Sequence, residues 1–478
     1  MSEKIDLSTL ADLASVDSND RMLGYSVSGK KFGMIPISVV VKAGYACRRW
    51  DVTKSTPVGE AVGDIGYLRD LPSLLGLGCY LVDKNHGRRK LDPTNHYKFA
   101  TGETAKLDGS MGDYMWGWSA KWYYSCWSEG DFFYEAASLK PIPGRQNYTI
   151  PIASTSALGV SVVDRDNLEL VSVVSDAAQY RGGNNDAAKD GEFNTLLGRA
   201  ATQLDAATFG SYARKKGDGW EGYWYAHAAV IGALFRIIFG TRNVQSPFNA
   251  NKDSNGLYQG GFGAGVTNFS SWSSKFGQYP FIPTSVGVEL ADSCGLSDYS
   301  VKDSDGSVIG TVSVPVFFGL KNFYGYLGRL ERGALISKAA GGFGDLYVVP
   351  KLHSSYSMNS LSGLVKAATL PATSNSGWES IQQISMQHLC HCPTVTGSPA
   401  TESTYYADSM YNDNAVSGLR VPIRGGNANN AGHAGLEYLN ANNGVSNANA
   451  NYGSPLNFPA WSVVSYHALK KRQDRTPW

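Results

Sequence analysis

The amino-acid sequence predicts an α+β fold with many short strands, few helices and long structured loops. The 478 residues include 54 glycines, and glycine-rich turn sequences separate short apolar runs along most of the chain. Two segments have a clear helical pattern, which is few for this length. Hydrophobic residues make up 42% of the chain, so a large core is expected. This combination is typical of α+β proteins.

Strands dominate the first part of the chain. Residues 1–42 are predicted to form a short extended attachment segment that ends in a strand, followed by one large domain with insertions over 43–478. From Tyr114 to Trp127, alternation of Trp116, Trp118 and Tyr124 predicts strands with one buried face. We favour a core or interface role for these aromatic residues over a sugar-stacking platform.

Two helices are predicted in the middle of the chain. Asp205 is a suitable N-cap for the first, and Lys215 to Gly217 form its stop. The second spans Tyr223 to Phe239 and is closed by Gly240. It is shorter than the ~20 apolar residues of a membrane span, so a buried helix is favoured and no membrane insertion is expected. Further on, SVKDSDGSVIG predicts a hairpin.

Charge and cysteine content narrow the range of functions. The 42 basic and 41 acidic residues leave a net charge of +1, so no general attraction to nucleic acid or to an anionic membrane is expected. Charged residues are only 17% of the chain and aromatic residues 12%, which suits large contact surfaces. The six cysteines do not have the density of a disulfide framework, and the amino terminus does not resemble a Sec-type signal peptide.

Three segments resemble catalytic or metal-binding motifs, and in each a structural role is favoured. QHLCHCP places potential zinc ligands next to one another in the chain, where neighbouring side chains point to opposite faces. Asn251 to Gly256 resembles the opening of a calcium loop, but Phe262 replaces the bidentate glutamate. GGFGAG does not have the Lys-Ser/Thr of a phosphate-binding loop. We therefore predict no cofactor, no metal and no enzymatic activity.

The segment from Arg424 to Leu456, RGGNANNAGHAGLEYLNANNGVSNANANYGSPL, is rich in asparagine, and we call it the tract. Asparagine favours neither helix nor strand, but its uncharged amide is well suited to recognition when exposed. In an extended SNANANYG, the asparagines would share one face and the alanines the other. Asx turns and a low-complexity linker are the alternatives, and the interleaved apolar residues argue against a linker. The tract is predicted to be an exposed polar surface of a folded unit.

The tract resembles the carboxy-terminal region of phage and prophage proteins with the formylglycine-generating-enzyme type of C-type lectin fold. These include the variable proteins of diversity-generating retroelements. The similarity rests on RGGNANN, AGLEYLNANN and SNANANYG, and on upstream segments such as GYACRRWD, SYARKKGDGW and GLKNFYGYLGRLERG. It implies a C-type lectin-like fold in a tail-fibre or tail-tip adhesin of the virion. Such a protein is often a homotrimer, docks on other phage tail or baseplate proteins, and binds a host cell-surface receptor, either glycan or protein.

The same resemblance implies which residues bind the receptor and which are scaffold. Arg424, Gly425 and Gly426 are scaffold. Enzymes of this fold carry cysteines soon after the Arg-Gly-Gly motif, and this chain does not, so an adhesin without enzymatic activity is expected. A tail-associated glycan depolymerase and a purely structural baseplate or fibre component are the alternatives. The implied receptor-binding residues are Asn427, Asn429, Asn430, His433, Tyr438, Asn440, Asn442, Asn443, Asn449 and Asn451.

Overall fold

A computed structural model describes residues 44–180, 198–248, 266, 281–302, 306–339, 341, 344–350, 356–372 and 376–461, and the backbone of 21–26, 31–36 and 465–466. The described part is mostly β-sheet with few helices, which agrees with an α+β or mostly β class. Its α-helices are α1 (Ile65–Leu75), α2 (Ala206–Arg214) and α3 (Tyr225–Phe239).

Strands occur along the whole described chain. The first half contains β1 (Arg21–Ser26), β2 (Lys31–Pro36), β3 (Ala46–Asp51), β4 (Glu60–Gly63), β5 (Gly78–Val82), β6 (Arg88–Asp92), β7 (Asn95–Phe99), β8 (Asp113–Gly117), β9 (Trp122–Glu129), β10 (Phe132–Ser138), β11 (Asn147–Ile150), β12 (Ser154–Ser156), β13 (Val162–Asp164) and β14 (Glu169–Val171). The second half contains β15 (Gly295–Lys302), β16 (Val308–Phe317), β17 (Leu320–Lys321), β18 (Gly328–Leu330), β19 (Ala334–Lys338), β20 (Gly344–Val348), β21 (Val365–Thr369), β22 (Gly377–Ser385), β23 (Cys392–Thr396), β24 (Ser409–Asn412), β25 (Gly418–Arg420), β26 (Ile423–Arg424), β27 (Leu439–Asn440), β28 (Tyr452–Gly453), β29 (Asn457–Phe458) and β30 (Ser465–Tyr466).

These strands form three large sheets and several small ones. Two six-stranded sheets have the orders β30-β11-β9-β10-β3-β4 and β29-β12-β8-β5-β6-β7. A seven-stranded sheet, β23-β22-β24-β27-β26-β18-β28, takes three of its strands from the tract, and we call it the tract sheet. The smaller sheets are β21-β20-β19-β25, β15-β16-β17, β13-β14 and β1-β2. β29 pairs with β12 and β30 with β11, so strands near the end of the described chain are hydrogen-bonded to strands of its first half.

Both predicted helices are confirmed. The Asp205 carboxylate accepts a hydrogen bond from the Thr208 amide at 2.7 Å, which caps α2, and that helix ends at Arg214. Helix α3 is closed by Gly240 at φ 67°, and its residues from Tyr225 to Ile237 are buried. No helix in the described residues is long and apolar enough to cross a membrane.

The predicted strands are also found where the chain is described. Trp116, Trp118, Trp122 and Tyr124 are completely buried on β8, β9 and the loop between them, and the first three rings stack edge to face at about 6 Å. The aromatic cluster therefore belongs to the core, as favoured over a sugar platform. β15 and β16 form the predicted hairpin, and β1 pairs with β2 in the amino-terminal segment. The calcium-like loop and GGFGAG lie outside the described residues.

Candidate receptor-binding surface

The tract enters the fold through three short strands joined by loops. β26 and β27 are antiparallel, with Arg424 opposite Leu439. β27 also runs parallel to β24, which places Asn440 beside Tyr411. Both ends of each asparagine-rich loop are therefore anchored on strands of the tract sheet.

Asparagine side chains shape the first loop of the tract. The Asn430 side-chain oxygen accepts a hydrogen bond from the Asn427 amide N–H at 2.7 Å, and the Asn427 side-chain oxygen accepts one from the Asn429 amide N–H at 3.2 Å. An asparagine that accepts from the amide two residues later forms an Asx turn. These side chains therefore add to the backbone hydrogen bonds of the loop, in which the Ala428 N–H donates to the Tyr326 carbonyl at 3.1 Å.

The second loop repeats this arrangement. The Asn440 side-chain oxygen accepts from the Asn442 amide N–H and from the Asn443 side chain, both at 2.9 Å. The Asn447 side chain donates to the Asn443 oxygen at 2.8 Å and accepts from the Asn449 amide N–H at 3.3 Å. The Asx turn, which the sequence left as an alternative, is the local structure at both units.

The ten residues expected at a receptor interface differ in their solvent exposure. Asn427 and Tyr438 are only 8% and 3% exposed, which corrects the expectation that they face a receptor. Asn427 forms a β-bridge with the buried Tyr326, and the Tyr438 ring packs against Trp378 with ring centroids 5.4 Å apart. Of the rest, Asn429 and Asn449 are exposed, whereas the half-buried residues are Asn430, His433, Asn440, Asn442, Asn443 and Asn451.

The expected alternation of SNANANYG along an extended strand is wrong. Ala448 is exposed, as is Asn449, so the alanines do not form a buried backing. The chain bends instead, because Asn447 accepts from the Asn449 amide N–H and the Asn449 carbonyl accepts from the Tyr452 amide N–H at 3.2 Å. Local Asx and turn hydrogen bonds override the period-two pattern.

The Arg-Gly-Gly motif lies beneath the loops, where the resemblance places scaffold. Gly425 and Gly426 have φ values of 84° and 71°, which favour glycine. A Cβ on Gly425 would lie 2.3 Å from an Arg329 guanidinium nitrogen, and one on Gly426 would lie 2.7 Å from the Ala434 Cβ. Both glycines are therefore required by the backbone and by close packing.

An aromatic cluster borders the tract on the exposed side of the tract sheet. Trp378 on β22 is 36% exposed and lies opposite Tyr411 on β24, with ring centroids 4.8 Å apart. The Trp378 ring stacks on His433 of the tract at 4.7 Å and 9°, and it contacts Tyr438 at 5.4 Å. We call these four residues the Trp378 cluster. They place an exposed aromatic ring against two side chains of the tract, on a strand separated from that of Asn440 by β24 alone.

His433 is held in place by hydrogen bonds as well as by stacking. Its Nδ1 lies 2.9 Å from the Ser409 hydroxyl and 3.3 Å from a Glu402 carboxylate oxygen. Burial lowers the pKa of His433, although Glu402 acts in the opposite direction. The ring therefore provides a fixed surface for Trp378.

A buried ionic network supports this surface from below. Arg236 of α3 makes two hydrogen bonds to Glu135 of β10, both 2.7 Å long, and a third to Glu437 of the tract. These side chains are at most 2% exposed. Burial acts to raise the pKa of Glu437, but Arg236 and His391 outweigh it and lower that pKa to about 2.

His391 extends the network to the Arg-Gly-Gly motif. Its Nδ1 lies 3.1 Å from Glu437, and its Nε2 lies 3.3 Å from Glu331. Arg424 binds the other Glu331 oxygen at 3.3 Å and donates to the carbonyls of His391 and Cys390. The network thus ties together α3, QHLCHCP and both ends of the first tract loop.

A separate polar pocket of about 530 Å³ lies beside β8 and β14. The Lys216 ammonium on its wall lies 2.9 Å from Asp113 and 3.9 Å from Glu169. Burial raises the pKa of Asp113, although Lys216 acts to lower it. Four carboxyl groups and two lysines line this pocket, which is not part of the tract, and Lys84 pairs with Glu169 at 2.9 Å.

Sequence reasoning missed Trp378 and the ionic network. Trp378 is an isolated tryptophan that meets the tract only through cross-strand pairing, and Glu135, Arg236 and Glu437 are distant in the chain. Searches of protein-family models and of curated proteins find no match to this chain. The functional proposal therefore depends on the residues of the site and on the resemblance.

Proposed function

We propose that this chain is a tail-fibre or tail-tip adhesin of a phage, and that the tract and the Trp378 cluster bind a host cell-surface receptor. The proposal includes a C-type lectin-like fold of the formylglycine-generating-enzyme type, an amino-terminal segment that docks on another tail or baseplate protein, and a homotrimer in the virion. The resemblance of the tract supports each of these statements. The binding role does not require an enzymatic activity.

One observation carries the proposal: an exposed tryptophan is stacked on the tract itself. Large aromatic side chains dominate binding energies at interfaces, and the tract that Trp378 contacts through His433 also carries uncharged amides that offer both donors and acceptors. The buried network beneath the loops limits the ordering that binding requires. Several copies in a trimer would multiply weak individual contacts.

The test is adsorption of the purified protein to a panel of candidate host cells. We expect binding to some strains only, and we expect Trp378→Ala to weaken it by about 2 kcal/mol or more, which is about 30-fold. Tyr97→Ala, at a remote side chain that is 52% exposed, is the matched control and should bind normally. Equal binding by both variants, with both folded, would count against this surface.

The polar pocket favours a second candidate function, a tail-associated glycan depolymerase. Glycosidases use one protonated carboxylic acid and one carboxylate, and burial raises the pKa of Asp113 while Glu169 lies near the same lysine. Release of reducing ends from host surface polysaccharide, abolished by Asp113→Asn and by Glu169→Gln, would favour it. Polysaccharide that stays intact while the cells bind protein would favour the adhesin alone.

A further inference from the structure

Three potential metal ligands meet at the second six-stranded sheet, two from its strands and one from a loop much later in the chain. Cys79 lies on β5, His96 on β7, and Asp292 just after the 3-10 helix Val288–Leu290. One ligand atom from each lies within 4.8 Å of the other two. Sulfur, imidazole nitrogen and carboxylate oxygen are the three ligand types that zinc accepts in proteins.

The surroundings orient these ligands. The Asp292 Oδ1 accepts a hydrogen bond from the Cys79 amide N–H at 2.8 Å and lies 3.0 Å from His96 Nε2. The other ring nitrogen, Nδ1, lies 2.6 Å from the Tyr114 hydroxyl. Histidines that bind metals usually have the second ring nitrogen held in this way, which fixes the ring orientation.

The backbone of Gly319 packs closely against the ligand atoms. A Cβ on Gly319 would lie 2.6 Å from the Cys79 sulfur, 3.2 Å from the Asp292 Oδ1 and 3.0 Å from the Ala291 carbonyl oxygen. Glycine at this position therefore lets the chain approach the sulfur and the carboxylate without a clash. Ala291 has φ 49° and ψ −130°, a conformation that alanine rarely adopts, and strained residues of this kind concentrate at functional sites.

We propose that Cys79, His96 and Asp292 bind one zinc ion that ties β5 and β7 to the loop at Asp292. Zinc–ligand bonds of about 2.0–2.3 Å place tetrahedral ligand atoms about 3.5 Å apart, so ligand atoms separated by up to 4.8 Å must approach one another by as much as roughly 1.3 Å. On binding, the Cys79 thiol releases its proton to solvent and a sulfur–zinc bond forms. The His96 proton moves from Nε2 to Nδ1, which then donates to the Tyr114 hydroxyl, and metal bonds replace the His96–Asp292 hydrogen bond. Thiolate and carboxylate together balance the charge of the ion. Lys90 keeps the other Asp292 oxygen, at 2.8 Å.

The experiment measures metal binding by the full chain and does not depend on a receptor. Protein freed of metal with a chelator is loaded with zinc and, separately, with cobalt. We expect about one zinc per chain by elemental mass spectrometry and a thiolate-to-cobalt charge-transfer absorption. Cys79→Ala should abolish the absorption, and Cys47→Ala, at another buried cysteine, should retain it.

Further variants keep the outcome interpretable. Should Cys79→Ala not fold, His96→Gln retains the thiol and should weaken zinc binding at least tenfold. Cys294 is exposed, so Cys294→Ala tests adventitious binding at that thiol. Wild-type protein that binds only traces of zinc would overturn the proposal and leave a hydrogen-bonded cluster without metal. An absorption that persists in Cys79→Ala or disappears in Cys294→Ala would overturn it as well.

Discussion

Replacing Glu437 by glutamine tests whether the buried network stabilises the tract. The substitution keeps the size of the side chain but removes the charge that faces Arg236 and His391. Arg236 retains Glu135, so the network loses one carboxylate and is otherwise intact.

The magnitude follows from the lowered pKa of Glu437. An ordinary glutamate has a pKa of 4.5, and in the folded protein that of Glu437 is about 2. A depressed folded pKa gives stability that is fully present above the unfolded pKa and is lost as the pH falls through the folded one. At ~1.4 kcal/mol per pKa unit, ionised Glu437 contributes about 3 kcal/mol at neutral pH. Glu437→Gln should lower the free energy of unfolding by this amount near pH 7 and by progressively less toward pH 2.

Urea unfolding of both proteins, followed by tryptophan fluorescence at about pH 3 and pH 7, measures the difference. Burial raises the pKa of Asp408, but this residue titrates in both proteins, so most of its contribution cancels. Glu402→Gln, at a side chain 36% exposed beside His433, is the control and should change stability by less than ~0.5 kcal/mol. The stabilising role of ionised Glu437 would be refuted by a loss of unfolding free energy below ~1 kcal/mol at neutral pH, or by a loss that does not become smaller in acid.

Two comparisons test the packing of the tract by thermal and urea unfolding. A Cβ on Gly435 would lie 1.8 Å from the Asp408 Oδ1, whereas one on Gly444 would approach only an Arg420 guanidinium nitrogen at 3.6 Å. We expect Gly435→Ala to lower the free energy of unfolding by more than ~2 kcal/mol and Gly444→Ala to lower it by less than ~0.5 kcal/mol. Similar losses in the two variants would contradict this packing. Asn440→Ala should lower the free energy of unfolding by about 1 kcal/mol because two donors lose their acceptor, whereas Asn449→Ala should be nearly neutral. The reverse order would show that the Asx turns do not hold the loop.

Local patterns in the sequence were sufficient for the helices and for the aromatic strands. Asp205 and Gly240 mark helix ends because caps act within one turn of the chain. The aromatic residues from Trp116 to Tyr124 are buried because their area dominates packing wherever the strands lie. Local chemistry of this kind does not depend on tertiary neighbours.

The site depends on neighbours that are distant in the sequence, so it was predicted only in part. Arg236 lies 101 residues from Glu135 and 201 from Glu437, and no local pattern indicates that they meet. The tract was recognised from composition, but its conformation was not. A signal was present, because asparagines two residues apart match the spacing of an Asx turn.

In three Asn-X-Asn units of the tract, the two asparagines have different roles in the turn. In the pairs 427/429, 440/442 and 447/449, the side chain of the first asparagine accepts the turn hydrogen bond, and the second contributes its main-chain N–H. A main-chain donor is unaffected by most substitutions, so the second side chain can change while the turn persists. Asn429 and Asn449 are also the exposed members of their pairs. Under the proposed function, we therefore expect receptor specificity to reside in Asn429, Asn442 and Asn449, whereas Asn427, Asn440 and Asn447 maintain the loops that present them.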